Sequence, residues 1–278
     1  MYIQVSTRFK VVMVTAITSL AFLLLQIGVI QFPGIESELL KKVLGAFFIG
    51  LITYIGVLWV VSFNLTRYKL VIVPLFPALL LSLFTLFIQL SLYRGILGLQ
   101  YAAFSLITLI IFIAITYFVI LNANILNISS INVIPLARAG KSAQYIFSLI
   151  ANYLFLTIIY NINISNILRI IITGLFFFYI VFQLNWVMSL SSKTNVKLTV
   201  PIMVVLFLMS VVLNLWPIPS EFISLIITVF LYIIFGIVLE TSDKLSKAVI
   251  FEYFLVTILV IFFSLMVTDW GINGRLIG

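Results

Sequence analysis

Glu252 is the carboxylate of this sequence that falls inside an apolar run. It lies about four residues into the run 249–268, which at ~1.5 Å per helical residue puts it on the order of 7 Å deep in a bilayer. An ionisable group at the centre of a membrane helix costs ~2.5–3.5 kcal/mol on insertion scales, and less near an end, so it is a site candidate by default. By the same count Asn152, Gln183 and Asn185 come roughly 9–12 Å from the same face. Four polar side chains at similar depth can converge on one inner-leaflet site that handles a substrate. The competing reading is an interhelical hydrogen-bond cluster, or a Glu252 paired with a lysine of a nearby loop. Gln26, Gln89 and Gln100 form a second, weaker layer toward the opposite face.

Other chemistry is thinly supplied. The chain has no histidine and no cysteine, which removes imidazole bases, thiolate nucleophiles and the usual zinc ligands. Seven acids remain. Glu36 and Glu38 flank Ser37 in a loop, an arrangement that a lipid-linked glycosyl-transfer enzyme could use to hold a metal or act as a base. The ordinary role is as strong: acids favour a helix N-terminus, and Glu38 can pair with Lys42 four residues on. The segment from Pro135 to Gly140-Lys141-Ser142 ends like a phosphate-binding loop but has Pro135 in place of the first glycine, and no strand precedes it. No catalytic residue, metal or cofactor is expected.

The elements that must position these residues follow from composition. Charged residues make up 8% of the chain and hydrophobic ones 64%, too few charges to face water on all sides. The apolar runs are long enough for membrane helices, and do not alternate as barrel strands would. The expected fold is all-α, a polytopic integral membrane protein with about nine spans near 11–31, 43–63, 71–92, 99–121, 145–161, 168–190, 199–216, 222–239 and 249–268. The first span follows Arg8 and Lys10 as a signal peptide would, but lacks an Ala-x-Ala cleavage site and reads as a retained helix.

Ten of the 15 basic residues fall on one side of this arrangement, two in every segment, from Arg8 and Lys10 to Lys244 and Lys247. The positive-inside rule then gives a cytoplasmic N-terminus and an outside C-terminus in a multi-pass cell-membrane protein. Trp59, Trp186, Trp216 and Trp270 all fall at expected span boundaries, as interface anchors do. Dispersed lysines and arginines are no nucleic-acid footprint; the partner expected is the lipid bilayer. Between 122 and 144 the sequence predicts an interfacial helix, or a continuation of span four on the inner leaflet, ended by Pro135. Arg138 and Lys141 would there meet anionic headgroups, at roughly 1 kcal/mol each.

An internal similarity bears on architecture. Trp59-Val60-Val61-Ser62-Phe63 resembles Trp186-Val187-Met188-Ser189-Leu190, and each is followed by a Lys-Leu pair and a proline (Pro74, Pro201). This suggests a parallel four-helix repeat with halves 1–122 and 145–240, plus a ninth helix at 249–268, within a single transmembrane domain 1–278. Ala46, Gly50 and Thr53 form a small stripe that lets helix backbones approach closely.

The C-terminal third, from Asn214-Leu215-Trp216-Pro217 through Phe251-Glu252-Tyr253-Phe254-Leu255, resembles an uncharacterised group of polytopic membrane proteins from small-genome bacteria. That resemblance implies membrane location and no particular activity. The leading expectation is a permease-like protein handling a small molecule, ion or lipid at Glu252 and its polar neighbours. The alternatives are a non-catalytic membrane subunit or scaffold, and the enzyme that would use Glu36 and Glu38.

Overall fold

The computed structural model describes residues 6–62, 67–92, 99–130, 135–189, 195–240 and 247–268. Its helices start where serine can cap them. The Ser6, Ser37 and Ser165 hydroxyls accept from the backbone N–H three residues on, at 3.4, 3.3 and 3.4 Å. The helices are α1 (Thr7–Gln26), α2 (Glu38–Val60), α3 (Arg67–Leu92), α4 (Leu99–Ser129), α5 (Ala137–Asn161), α6 (Asn166–Ser189), α7 (Asn195–Leu213), α8 (Ser220–Glu240) and α9 (Lys247–Val267). Among the described residues there is no strand, and eight helices are long and apolar enough to cross a bilayer. The chain is a multi-pass, all-helical membrane protein.

α4 continues to Ser129, as the expected continuation of span four would, while α5 begins at Ala137, ahead of the expected 145, so the 122–144 segment is mostly helix belonging to its neighbours. No separate interfacial helix stands between them among the described residues. Asn122 donates to Gln144 Oε1 at 2.8 Å, and Gly140 lets α5 approach Ile125 and Leu126 of α4. Buried hydroxyls in these apolar helices mostly bond their own backbone: Thr15, Thr53, Ser82, Thr85 and Thr116 each donate to the carbonyl four residues back. This satisfies a polar group where lipid offers no partner.

The chain divides into two compact units, Met1–Phe147 and Ser148–Gly278. In the first, α1 packs on α2 and α4, and α3 packs on the same two. The small stripe of α2 is used here: a Cβ at Gly50 would collide with Ser82 of α3, and one at Gly56 with Val14 of α1. Phe22 and Phe112 stack between α1 and α4 with ring centroids 4.0 Å apart, inside a core that includes Ile49 and Leu81. Lys10 closes one end by donating to Ser62 Oγ (3.0 Å) and to the Trp59 carbonyl (3.3 Å), with its ammonium 5.7 Å from the Trp59 ring centroid.

In the second unit α6 packs on α7, α7 on α8 and α8 on α9. The Phe155–Phe176 stack joins α5 to α6 with centroids 3.8 Å apart, and Asn152 donates to Thr228 Oγ1 of α8 at 3.0 Å. α5 thus reaches α6 and α8 through these side chains, and α9 is added against α8.

Candidate functional site

The four polar residues expected at one depth, Asn152, Gln183, Asn185 and Glu252, do not gather at one point. Asn152 is fully buried and its amide reaches α8 through Thr228. One turn earlier on α5, Ser148 donates to Gln183 Oε1 of α6 at 3.2 Å, so Asn152 and Gln183 serve the same face of α5. Asn185 is two residues from Gln183, about 200° around a helix of 3.6 residues per turn, and donates instead to Thr199 Oγ1 of α7 at 3.1 Å. Glu252 is exposed on α9 and accepts from the Tyr232 hydroxyl of α8 at 2.6 Å. These side chains serve separate helix seams.

The interfacial residues also part company. Trp59 is half-buried beneath Lys10, and Trp216 is half-buried just past α7. Trp186 is 1% exposed, because its ring packs into the second unit, so it presents nothing to a headgroup layer. Trp270 and the Gln100 side chain lie outside the described residues. Arg138 is exposed and Lys141 half-buried on the first turns of α5. The segment that resembled a phosphate loop is thus a helix start, where the Gly140 amide donates to the Leu136 carbonyl at 2.9 Å.

Two of the three glutamines of the other polar layer, Gln26 and Gln89, do come together. Gln26 at the end of α1, Glu38, Lys41 and Lys42 at the start of α2, and Gln89 near the end of α3 line one cavity of about 430 Å³ in the first unit. The loop between α1 and α2 forms its remaining wall. Gly28 ends α1 in the left-handed region (φ 74°), and the Val29 and Ile30 amides turn back to the Leu24 carbonyl at 3.0 and 3.3 Å. Pro33 then precedes Gly34 at φ 83°, the pairing that a type II turn demands, and the chain re-enters at Ser37. Neither glycine is crowded, so the backbone angle is what requires it.

Inside, Gly45 makes room. A Cβ there would lie 2.7 Å from Leu25 and 3.3 Å from the Gln89 amide nitrogen. Gln89 is 9% exposed, and its Oε1 has no hydrogen-bond partner in the protein. A buried acceptor left so costs ~1–3 kcal/mol, which a ligand donor would recover. At the mouth Glu38 pairs with Lys41 at 2.7 Å, three residues on rather than with Lys42 at four. One acid and two lysines leave the lining with a net positive charge. The acid expected to do enzyme chemistry is thus engaged by a cation and 70% exposed. Among the described residues no group of three His, Cys, Asp or Glu side chains could hold a metal ion.

The first unit holds a second space. An apolar groove of about 650 Å³ runs between Val12, Ala16, Leu20 and Leu23 of α1 and Leu109, Ile113 and Tyr117 of α4. Gln26 of the chamber donates to Thr108 Oγ1 of α4 at 3.2 Å, one turn beyond Leu23 and next to Leu109 of the groove.

No protein-family model, curated protein or solved structure matches the chain. The functional argument rests on these residues. Nothing in the sequence pattern alone singled out the chamber, although the glutamine layer and the Gly-bounded loop were both visible in it.

Proposed function

We propose that this membrane protein handles an anionic amphiphile whose head carries both a phosphate and hydroxyl groups. The phosphate would sit by Lys42 and Lys41, a hydroxyl would donate to Gln89 Oε1, and an acyl chain would lie in the α1–α4 groove. The observation that carries this reading is the buried, unpartnered Gln89 acceptor in a lysine-edged cavity. Its volume of about 430 Å³ suits a head group rather than a whole lipid, and falls in the usual range for ligand sites. With the N-terminus cytoplasmic, as the ten-to-five bias of basic residues favours, this end of α1 opens outside the cell membrane.

The test uses the full chain in phosphatidylcholine nanodiscs, with bound lipid read by native mass spectrometry. Phosphatidylglycerol should be retained over phosphatidylcholine, and Lys41→Gln/Lys42→Gln should remove that preference. Gln89→Leu should erase discrimination between phosphatidylglycerol and phosphatidic acid, which lacks the head hydroxyls. Unchanged retention in the lysine variant would sink the proposal.

A scaffold or subunit role is the second reading. It is favoured by the way Asn122, Asn152, Gln183 and Asn185 all bond across helix seams, as polar residues that only hold helices together do. Lipid retention with no preference at all would leave this reading standing.

A further inference from the structure

The second unit has a cavity at the position that the amphiphile chamber occupies in the first. The first chamber lies between the end of α1, the start of α2 and the end of α3; the second lies between the end of α5, the start of α6 and the end of α7. Its lining on the second helix keeps register from the serine cap. One, four and five residues after Ser37 come Glu38, Lys41 and Lys42; one, four and five after Ser165 come Asn166, Arg169 and Ile170. A cation four residues past the cap is common to both. The acid that neutralises Lys41 is replaced by the amide of Asn166, and no carboxylate lines this cavity.

Arg169 is half-buried here. One of its terminal nitrogens donates to the Ile162 carbonyl at 3.4 Å, a long bond, while its Nε is buried with no partner in the protein. The Tyr160 hydroxyl, on the opposite wall, donates to the Ser210 carbonyl at 3.3 Å. A buried guanidinium donor beside a cavity, with no acid across from it, matches planar oxyanion recognition.

The loops set the sizes. Residues 27–37 connect α1 to α2, whereas 162–165 connect α5 to α6. The shorter connection leaves about 190 Å³. A water's share of liquid volume is ~30 Å³, so the space takes one phosphate-sized anion with a few waters, but no polyol head.

We propose that Arg169 forms a second, smaller anion site, for an unsubstituted phosphate group, in the unit 148–278. The phosphate is either free inorganic phosphate or the terminal monoester of phosphatidic acid. The site rests on Arg169 and its cavity, and stands whether or not Lys41 and Lys42 hold an amphiphile.

The experiment is phenylglyoxal labelling of the full chain in phosphatidylcholine nanodiscs, with the Arg169 peptide quantified by mass spectrometry. Inorganic phosphate, or phosphatidic acid added to the disc, should slow labelling of Arg169, and inorganic phosphate should leave Arg138 unaffected. Protection by phosphate alone identifies the free anion; protection by phosphatidic acid alone identifies the lipid. Equilibrium dialysis of radiolabelled phosphate then compares variants. Arg169→Gln should weaken binding ~10-fold or more, as loss of a charge-assisted hydrogen bond does, and Arg169→Lys should weaken it less. Lys41→Gln/Lys42→Gln should leave this binding intact. Failure of both phosphate and phosphatidic acid to protect Arg169 overturns the proposal, as does phosphate binding lost in the lysine variant but kept in Arg169→Gln. The labelling arm uses the unaltered chain, so a variant that fails to fold does not decide the outcome.

Discussion

The Tyr232 hydroxyl donates a 2.6 Å hydrogen bond to Glu252 Oε1, and the Tyr232 ring meets the Tyr253 ring edge-on at 5.2 Å. Together they fasten α9 to α8. The sole acid inside an expected span is thus half of a helix latch. Tyr232→Phe should lower unfolding stability by about 1 kcal/mol, modest for a charged acceptor because the pair is exposed. Glu252→Gln keeps an acceptor and should lose less. Denaturant unfolding in mixed micelles measures both; a larger loss for Glu252→Gln would mean that its charge serves something other than Tyr232.

Gly50 sits where α2 and α3 approach most closely, with the Ala78 carbonyl 3.3 Å from any Cβ placed there. Gly50→Ala should destabilise the first unit by roughly 1–3 kcal/mol, the usual cost of overpacking. Gly174 is the control, since a Cβ there meets nothing nearer than Phe207 at 4.0 Å. Equal melting shifts for Gly50→Ala and Gly174→Ala would refute the close-packing account.

Gly28→Ala tests backbone rather than space. Its surroundings are open, but φ is 74°. A left-handed alanine costs roughly 1–2 kcal/mol, whereas asparagine tolerates the angle better. Alanine should therefore loosen the chamber loop, with faster hydrogen exchange at Val29 and Ile30, and Gly28→Asn should largely restore protection.

Asn122 and Gln144 are both buried, and bond at 2.8 Å between α4 and α5. A double-mutant cycle with Asn122→Ala and Gln144→Ala should give a coupling of about 0.6–1.7 kcal/mol, the range found for polar pairs between membrane helices. Additive losses would mean that the two amides act separately.

Helix positions were legible because apolar length reports them directly. Where the ends moved, a local residue explains it: Gly28 stops α1 before Gln31, and Gly140 admits α5 against α4. The grouping of polar residues was not legible to the same degree. Depth along a helix can be counted from sequence, but direction around it must be matched to neighbours whose packing is unknown. Gln183 and Asn185 share a depth and face different helices. Gln26 and Gln89 share a depth and do meet, because Gly45 lets Gln89 lie against α2 and a loop with two left-handed glycines folds over both. Trp186 illustrates the same limit, lying at the expected boundary but turned inward.

α9 carries a further consequence. Within Ile250–Val267 only Ser264 is buried, so α9 is the least enclosed of the helices long and apolar enough to cross a membrane, among the described residues. The 21 residues of α9 rise about 31 Å, enough to cross a typical ~30 Å hydrocarbon core on their own. Its described contacts with the rest of the second unit run along α8, where Gly236 receives Tyr253. A substitution that opens that seam therefore frees α9 while leaving the other described helix pairs in place.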